Sequence, residues 1–312
     1  MSAGGSRTPF GRVRSWLYVP AHRPELVAKA LSGTADAVVL DLEDAVPAGA
    51  KDAARDAAVQ ACAGPRDRPL WVRVNAPGTP WSAADIAALA GSGADGIRLP
   101  KAADPDAVAA LAERLALPLH LLVESARGLE EAFDLARAHP LVASVSLGEA
   151  DLAADLRIGD PAHLGWARAR VVVANRAAGL PSPVAGVWTD LADADGLAAD
   201  SATARDAGFF GRSVIHPAQV GPVNHAFTPG PAEVARAHAL LDSLRAAETA
   251  GSSAYLDERG RFVDPAVVAG ARWVADLAAE LGVDLGAATE TSADIPEHEP
   301  ARTPVRAGKE NR

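Results

Sequence analysis

LHLLVESARGLEEAFDLARAHPLVASVSLGEADLAAD, residues Leu119–Asp155, holds the pattern that decides the fold. Two short apolar runs, Leu119–Val123 and Val142–Leu147, flank a segment in which Leu129, Ala132, Phe133 and Ala136 recur at helical spacing. The pattern predicts strand, helix, strand. Glu124 follows the first run directly, and Glu149 and Asp151 come shortly after the second. Parallel strands need a crossover such as this helix, and they bring their ends to one sheet edge. The carboxylates would therefore meet. Mg²⁺ accepts one or two protein carboxylates and keeps waters and substrate oxygens in its other positions. Acids before a helix also serve as N-caps, so the stretch by itself leaves both roles open.

Outward from this unit the same alternation continues in both directions. Ser15–Val19 reads as a strand closed by Pro20, with a helix from Pro24 to Gly33; Ala37–Leu42 ends in Asp41, Glu43 and Asp44, and a helix follows from about Ala50 to Ala63. Leu70–Val74 contains Arg73 and ends at Asn75, and Ser82 with Asp85 three residues on forms a capping-box pattern. Gly96–Leu99 runs into Pro100-Lys101, and Asp104-Pro105 starts the next helix. After the opening unit come a helix over about Ala162–Ala178, a strand at Pro183–Val187, a helix within Asp193–Gly208 and a strand at Arg212–Ile215 closed by His216-Pro217. Eight strands alternating with helices predict an α/β fold of the (β/α)₈ TIM-barrel type. In that fold the residues after each strand line the active site, which here collects Glu43, Asp44, Asn75, Lys101, Glu124, Glu149, Asp151 and His216. No glycine-rich phosphate loop of the GxGxxG or GxxxxGK[ST] kind is present.

The pattern divides the chain into a catalytic barrel at residues 1–228, C-terminal helices with a lid segment at 229–284, and a polar, Pro- and Glu-rich tail at 285–312 whose composition predicts disorder. The net charge of −10 argues against a nucleic-acid binder, whose phosphate contacts need a basic face. Lysines stand only at positions 29, 51, 101 and 309, so an anion site here would use an arginine fork. The single cysteine, Cys62, excludes an intrachain disulfide and a CxxC site, and it reads as a small apolar residue. No run approaches the ~18 apolar residues of a membrane span, and no signal-peptide core follows the N-terminal arginines. A cytoplasmic protein without nucleic-acid or membrane partners is the expectation.

Eight segments in order resemble the citrate lyase β-subunit branch of the HpcH/HpaI aldolase family: RSWLYVPAHRPELVAKAL, VVLDLEDAVPAGAKDAAR, WVRVNAPGTPW, GIRLPKA, LLVESARG, SLGEADLAADL, GFFGRSVIHPAQVGPVN and RFVDPAVV, spread over residues 14–270. The resemblance implies a barrel with a C-terminal lid, a homotrimer or homohexamer, Mg²⁺, and a coenzyme A thioester cleaved to acetyl-CoA and a small 2-oxo acid, or the reverse. It implies Glu124 and Asp151 as metal ligands, Arg73 as the grip on the oxo-acid carboxylate, and Glu43 and Asp44 as acids around metal-bound water. Asp264 would be the acid/base that a lid carries into a neighbouring subunit's site. Arg23 and Lys29 are candidates for the coenzyme A phosphates, though a solvated helix face explains them better, as it does most surface charge. Two rivals stand beside this reading. One is a Schiff-base aldolase using Lys101, a rare lysine at a strand end; the other is a non-catalytic barrel that only binds coenzyme A esters.

Overall fold

A computed structural model describes residues 10–249 and 265–283. The chain divides into two compact units, Met1–Thr228 and Pro229–Arg312. In the first, seven parallel strands alternate with helices in chain order: β1 (Ser15–Pro20), α1 (Pro24–Ser32), β2 (Ala37–Asp41), α2 (Lys51–Ala63), β3 (Leu70–Arg73), α3 (Ser82–Leu89), β4 (Gly96–Leu99), α4 (Pro105–Leu115) and β5 (Leu119–Val123). There follow α5 (Ala126–Glu130), α6 (Ala132–Ala136), β6 (Val142–Leu147), α7 (Glu149–Leu156), α8 (Gly165–Ala177), α9 (Ala194–Asp206), β7 (Arg212–Val214) and α10 (Val220–Phe227). The sheet order is β6-β5-β4-β3-β2-β1-β7. Both faces of the sheet are covered, so its strands are buried almost throughout, including polar side chains such as Arg98, His120, Ser146 and Ser213.

Side chains that reach across the interior show that the sheet is curled. Arg98 of β4 donates from Nη1 to Tyr18 Oη of β1 at 2.8 Å and to Ser213 Oγ of β7 at 2.9 Å, although two or more strands lie between them in the sheet. His120 of β5 likewise stacks near Trp16 of β1, with ring centres 6.1 Å apart. The N-terminal end of the curl is plugged by Phe10, Trp16 and Trp71 in edge-on and tilted contacts at 4.9–5.5 Å, the geometry that aromatic quadrupoles favour.

The eighth strand expected at Pro183–Val187 is not formed; the segment makes a single parallel bridge, Ala185 with Arg212. The reason is local. Pro183 has no N–H to give a ladder, and the Val184 N–H goes instead to the Ser146 hydroxyl of β6 at 2.8 Å. The crossover helix between β5 and β6 also differs from the expected single helix: it breaks at Glu131 into α5 and α6. Leu129, Ala132 and Ala136 keep their buried positions, but Phe133, expected on the same face, is turned out and 44% exposed. Asp85 is no capping-box acid; it is buried and accepts from Asn75 and Arg55, as described below.

The second unit contributes two described helices, α11 (Pro231–Thr249) and α12 (Pro265–Leu281), packed through Ala237, Leu241, Leu244, Val268 and Ala271. The lid segment and the tail expected from sequence lie outside the described residues. No described helix is long and apolar enough to cross a membrane.

Gly96 opens β4 directly beneath the Trp71 ring, and a Cβ there would stand 2.3–2.6 Å from three ring carbons. Both residues belong to the packed interior, so Gly96→Ala should destabilise the protein by about 1–3 kcal/mol, as overpacking does. Denaturant unfolding measures it; an unchanged midpoint would mean that the indole has an alternative seat.

Candidate active site

The C-terminal edge of β2 and β3 carries an arginine clamped by acid. Strand register sets Asp41 beside Arg73, and the two form a bidentate pair: Nε to Oδ1 and Nη2 to Oδ2, each 2.7 Å. Asp41 also accepts the backbone N–H groups of Glu43 (2.9 Å) and Ala45 (3.0 Å), which shapes the loop after β2. That loop returns Glu43 and Asp44 to Arg73 Nη1, each 3.1 Å away. Burial opposes the Arg73 charge, but Asp41 outweighs it and holds the pKa above the ordinary arginine value. Glu43 has no such compensation. Burial dominates and, with Asp44, Glu124 and Asp41 nearby, outweighs the pull of Arg73, so its carboxyl is pushed up to about 8. Near neutral pH this acid keeps its proton, the state a general acid needs.

A second network fixes the same loop from behind. Lys51, at the start of α2 and buried, donates 2.7 Å bonds to Leu42 O, Glu43 O and Asn75 Oδ1. Asn75 in turn donates to Asp85 at 2.7 Å, and Asp85 accepts from Arg55 at 2.8 Å. Burial lowers the Lys51 pKa, while the acids around it work in the opposite direction.

The ends of β4, β5 and β6 meet at Lys101. Its ammonium lies 3.2 Å from Glu124 Oε2 and 3.4 Å from Asp151 Oδ1, and its backbone has φ +53°, a left-handed conformation that non-glycine residues rarely hold. Glu124 is buried, and burial raises its pKa against the opposing effect of Lys101. For Lys101 burial is the largest influence and lowers the pKa, but Glu124 and Asp151 together raise it beyond the ordinary lysine value. The residues fit Mg²⁺ on their own chemistry. Two carboxylate oxygens already share one cationic neighbour, the donors are hard oxygens, and Gly148 leaves the space the Glu124 carboxyl occupies, since a Cβ there would stand 2.5–2.8 Å from it. No group of three or more His, Cys, Asp or Glu side chains suited to a metal occurs among the described residues. A cleft of about 670 Å³, in the size range of small-molecule sites, opens beside Lys101 between α3 and α4, with Ile86, Leu99 and Leu111 in its wall.

Of the candidates read from sequence, Arg73, Glu43 and Asp44 form one cluster, and Glu124 and Asp151 form another around Lys101. Glu149 belongs to neither: Arg168 of α8 holds it bidentately at 3.0 and 2.6 Å. Arg23 pairs with Glu25 at 2.5 Å on the surface, and Lys29 is exposed on α1; no described bond ties either to the two clusters. His216 serves the turn, its Nδ1 accepting from Ala218 N at 3.2 Å. Asp264 lies outside the described residues. Sequence reading missed Asp41 as the partner that engages two edges of the Arg73 fork, and it missed Lys51 and Asp85. The signal available was weak: an Asp two before Glu43, and one of four lysines placed at the first position of α2.

Residues 14–217 match the family model described as HpcH/HpaI aldolase/citrate lyase. A (3S)-malyl-CoA thioesterase of Cereibacter sphaeroides is 39% identical over 252 residues, covering 76% of this chain and 85% of its own. An L-malyl-CoA/beta-methylmalyl-CoA lyase of Rhodobacter capsulatus is 32% identical over 293 residues, covering 82% and 91%. Among solved structures, the CitE protein of Mycobacterium tuberculosis in complex with magnesium, acetoacetate and coenzyme A superposes with a TM-score of 0.73 at 33% identity, over 86% of this chain and 100% of that one.

The raised Glu43 pKa has a thermodynamic consequence. Between the carboxyl's ordinary value of 4.5 and about 8, the folded protein holds a proton that the unfolded chain has released, so stability falls as pH rises through that window. In metal-free buffer the wild type should lose melting temperature relative to Glu43→Gln as pH is taken from 5 to 8. A difference that stays flat would place Glu43 ionised throughout.

Proposed function

The chain belongs to the HpcH/HpaI aldolase/citrate lyase family, and from that premise we propose that it is a Mg²⁺-dependent carbon–carbon lyase built as a (β/α)₈ barrel. Its substrate would be a 3-hydroxyacyl thioester of coenzyme A, cleaved to acetyl-CoA and a 2-oxo acid, or formed from them. The observation that carries the reading is the placement of two carboxylates, Glu124 and Asp151, at one point beside an arginine and a protonated acid.

Cleavage takes the proton from the C3 hydroxyl, breaks the C2–C3 bond, leaves a carbonyl on C3 and sends the electron pair to C2, where the thioester spreads it as an enolate that must then receive a proton. Glu124 and Asp151 would hold Mg²⁺, which when bound supplies Lewis-acid stabilisation to oxygens of the 2-oxo acid. Arg73 offers Nη1, the one arm of its fork not taken by Asp41, to the acid's carboxylate. Glu43 holds a proton at its carboxyl, and Asp44, largely exposed, completes the rim. From the family resemblance, Asp264 would supply the acid/base in trans within a homotrimer or homohexamer; Arg23 and Lys29, as charges on α1, are the candidates for the coenzyme A phosphates.

The state of Lys101 supports the metal reading over a Schiff base. An imine-forming lysine needs a lowered pKa, and here two carboxylates raise it. One further reading has an observation behind it: a relative at 39% identity is a thioesterase, and the same cluster could direct water to the thioester carbonyl. Products separate the two, because hydrolysis releases free coenzyme A and an intact hydroxy acid.

Glu124→Gln and Asp151→Asn should each lower Mg²⁺-dependent turnover by about a hundredfold or more, the loss expected for a direct electrostatic contributor, with the fold retained by circular dichroism. Near-normal activity would reduce the carboxylate to a cap. A panel of acetyl-CoA and propionyl-CoA against glyoxylate, pyruvate and oxaloacetate identifies the acceptor, and borohydride with pyruvate should leave Lys101 unmodified. Mixed oligomers of Asp264→Ala and Glu124→Ala chains should regain activity; if they form and stay inactive, Asp264 does not act in trans.

A further inference from the structure

Arg98 is fully buried inside the curled sheet, and no carboxylate among the described residues lies within ion-pair distance of it. Its Nη1 donates to Tyr18 Oη and Ser213 Oγ at 2.8 and 2.9 Å, while Nε and Nη2 have no hydrogen-bond partner among the described residues. Two aromatic faces share the charge: the guanidinium carbon lies 5.0 Å from the Trp16 ring centre and 5.1 Å from that of Tyr18. His120 adds no second positive charge, since burial and the Arg98 charge drive its pKa well below the ordinary value. A desolvated cation with two unsatisfied nitrogens is costly, and an aliphatic side chain would fill a sheet interior without that penalty.

What Arg98 touches leads to the site. Register places it directly beside Arg73 on β3, two like charges on neighbouring strands. The Tyr18 ring serves both: its centre is 5.0 Å from the Arg73 guanidinium carbon and 5.1 Å from that of Arg98. Asp41 fixes Arg73 within the plane of its fork, but in-plane hydrogen bonds leave the tilt of that plane to whatever lies against its face. The Arg73 guanidinium carbon sits over the Tyr18 ring, and Arg98 holds Tyr18 by its hydroxyl.

We propose that Arg98 is a positioning residue which, by anchoring the Tyr18 hydroxyl, sets the tilt of the Arg73 guanidinium and so the direction in which Nη1 meets the substrate carboxylate. This rests on the lyase reading of the site. Neither Arg98 nor Tyr18 takes part in the chemistry; their effect is on binding of the acid.

The test is a double-mutant cycle with Tyr18→Phe, which keeps the ring and removes the acceptor, and Arg98→Met, which keeps the bulk and removes the donor. In the condensation direction each single change should raise KM for the 2-oxo acid about tenfold with kcat changed by less than about threefold, and the double variant should also stand near tenfold instead of a hundredfold. Additive effects, or a Tyr18→Phe KM equal to wild type, would overturn the proposal; the second comparison decides it even if Arg98→Met fails to fold. A readout free of turnover separates this from the lyase reading: in protein labelled at arginine ¹⁵Nε, the Arg73 Nε–H should exchange with solvent about tenfold faster in Tyr18→Phe, with Arg55 and Arg66 unchanged. If the wild type turns over no thioester but this acceleration is seen, the positioning role stands and the reaction assignment falls; unchanged exchange removes the positioning role.

Discussion

The pair between Asp41 and Arg73 is the constraint on which the rest of the site depends. It joins adjacent strands at their C-terminal ends, and the same carboxylate accepts the N–H groups of Glu43 and Ala45. One aspartate therefore sets both the arginine and the loop that brings two further acids back to it. A buried ion pair adds little net stability, because desolvation cancels much of the attraction. Its contribution here is direction: with Nε and Nη2 engaged, the remaining arm of Arg73 points at Glu43 and Asp44.

Around that pair the protein sorts its carboxyls by environment. Glu43 lies dry in a region of negative potential and keeps its proton to about pH 8. Asp151 stands 55% exposed at the rim, and Glu124 is buried within reach of Lys101. The proposed lyase reading calls for such a division, since it sets a proton donor near carboxylates that remain ionised. Lys51 contributes from below by bonding two backbone carbonyls of the loop, which leaves the acid side chains facing the site.

Much of this was legible in the sequence, and the boundary has physical causes. The βα alternation could be read because each strand is short, mostly apolar and bounded by turn residues, and the strand-end acids stood out because packing does not account for them. Pro183–Val187 deceived the pattern: it is apolar and short like a strand, yet its proline removes a donor and a serine on β6 captures the next one. Phe133 deceived it too, because helical spacing assumes one helix and the chain breaks at Glu131. Pairings such as Arg168 with Glu149, or Lys51 with Asn75, join residues 19 and 24 positions apart. Only the folded geometry could reveal which acids are spoken for and which are left to a ligand.

Lys101 brings these strands of argument together. A lysine at a strand end beside two acids reads from sequence as a nucleophile, but nucleophilicity requires a neutral amine, and the acids that draw attention to the residue are the ones that keep it charged. The same electrostatics act in reverse on Glu124: burial is the largest influence and still raises its pKa, Asp151 adds to the rise, and the ammonium opposes both without cancelling them. Half of the lysine side chain is exposed, and it meets each carboxylate through a single contact, unlike the bidentate Arg168 clamp on Glu149. Glu124 and Asp151 thus share one positive neighbour at the edge of this sheet, whereas Glu149 is taken by an arginine of its own.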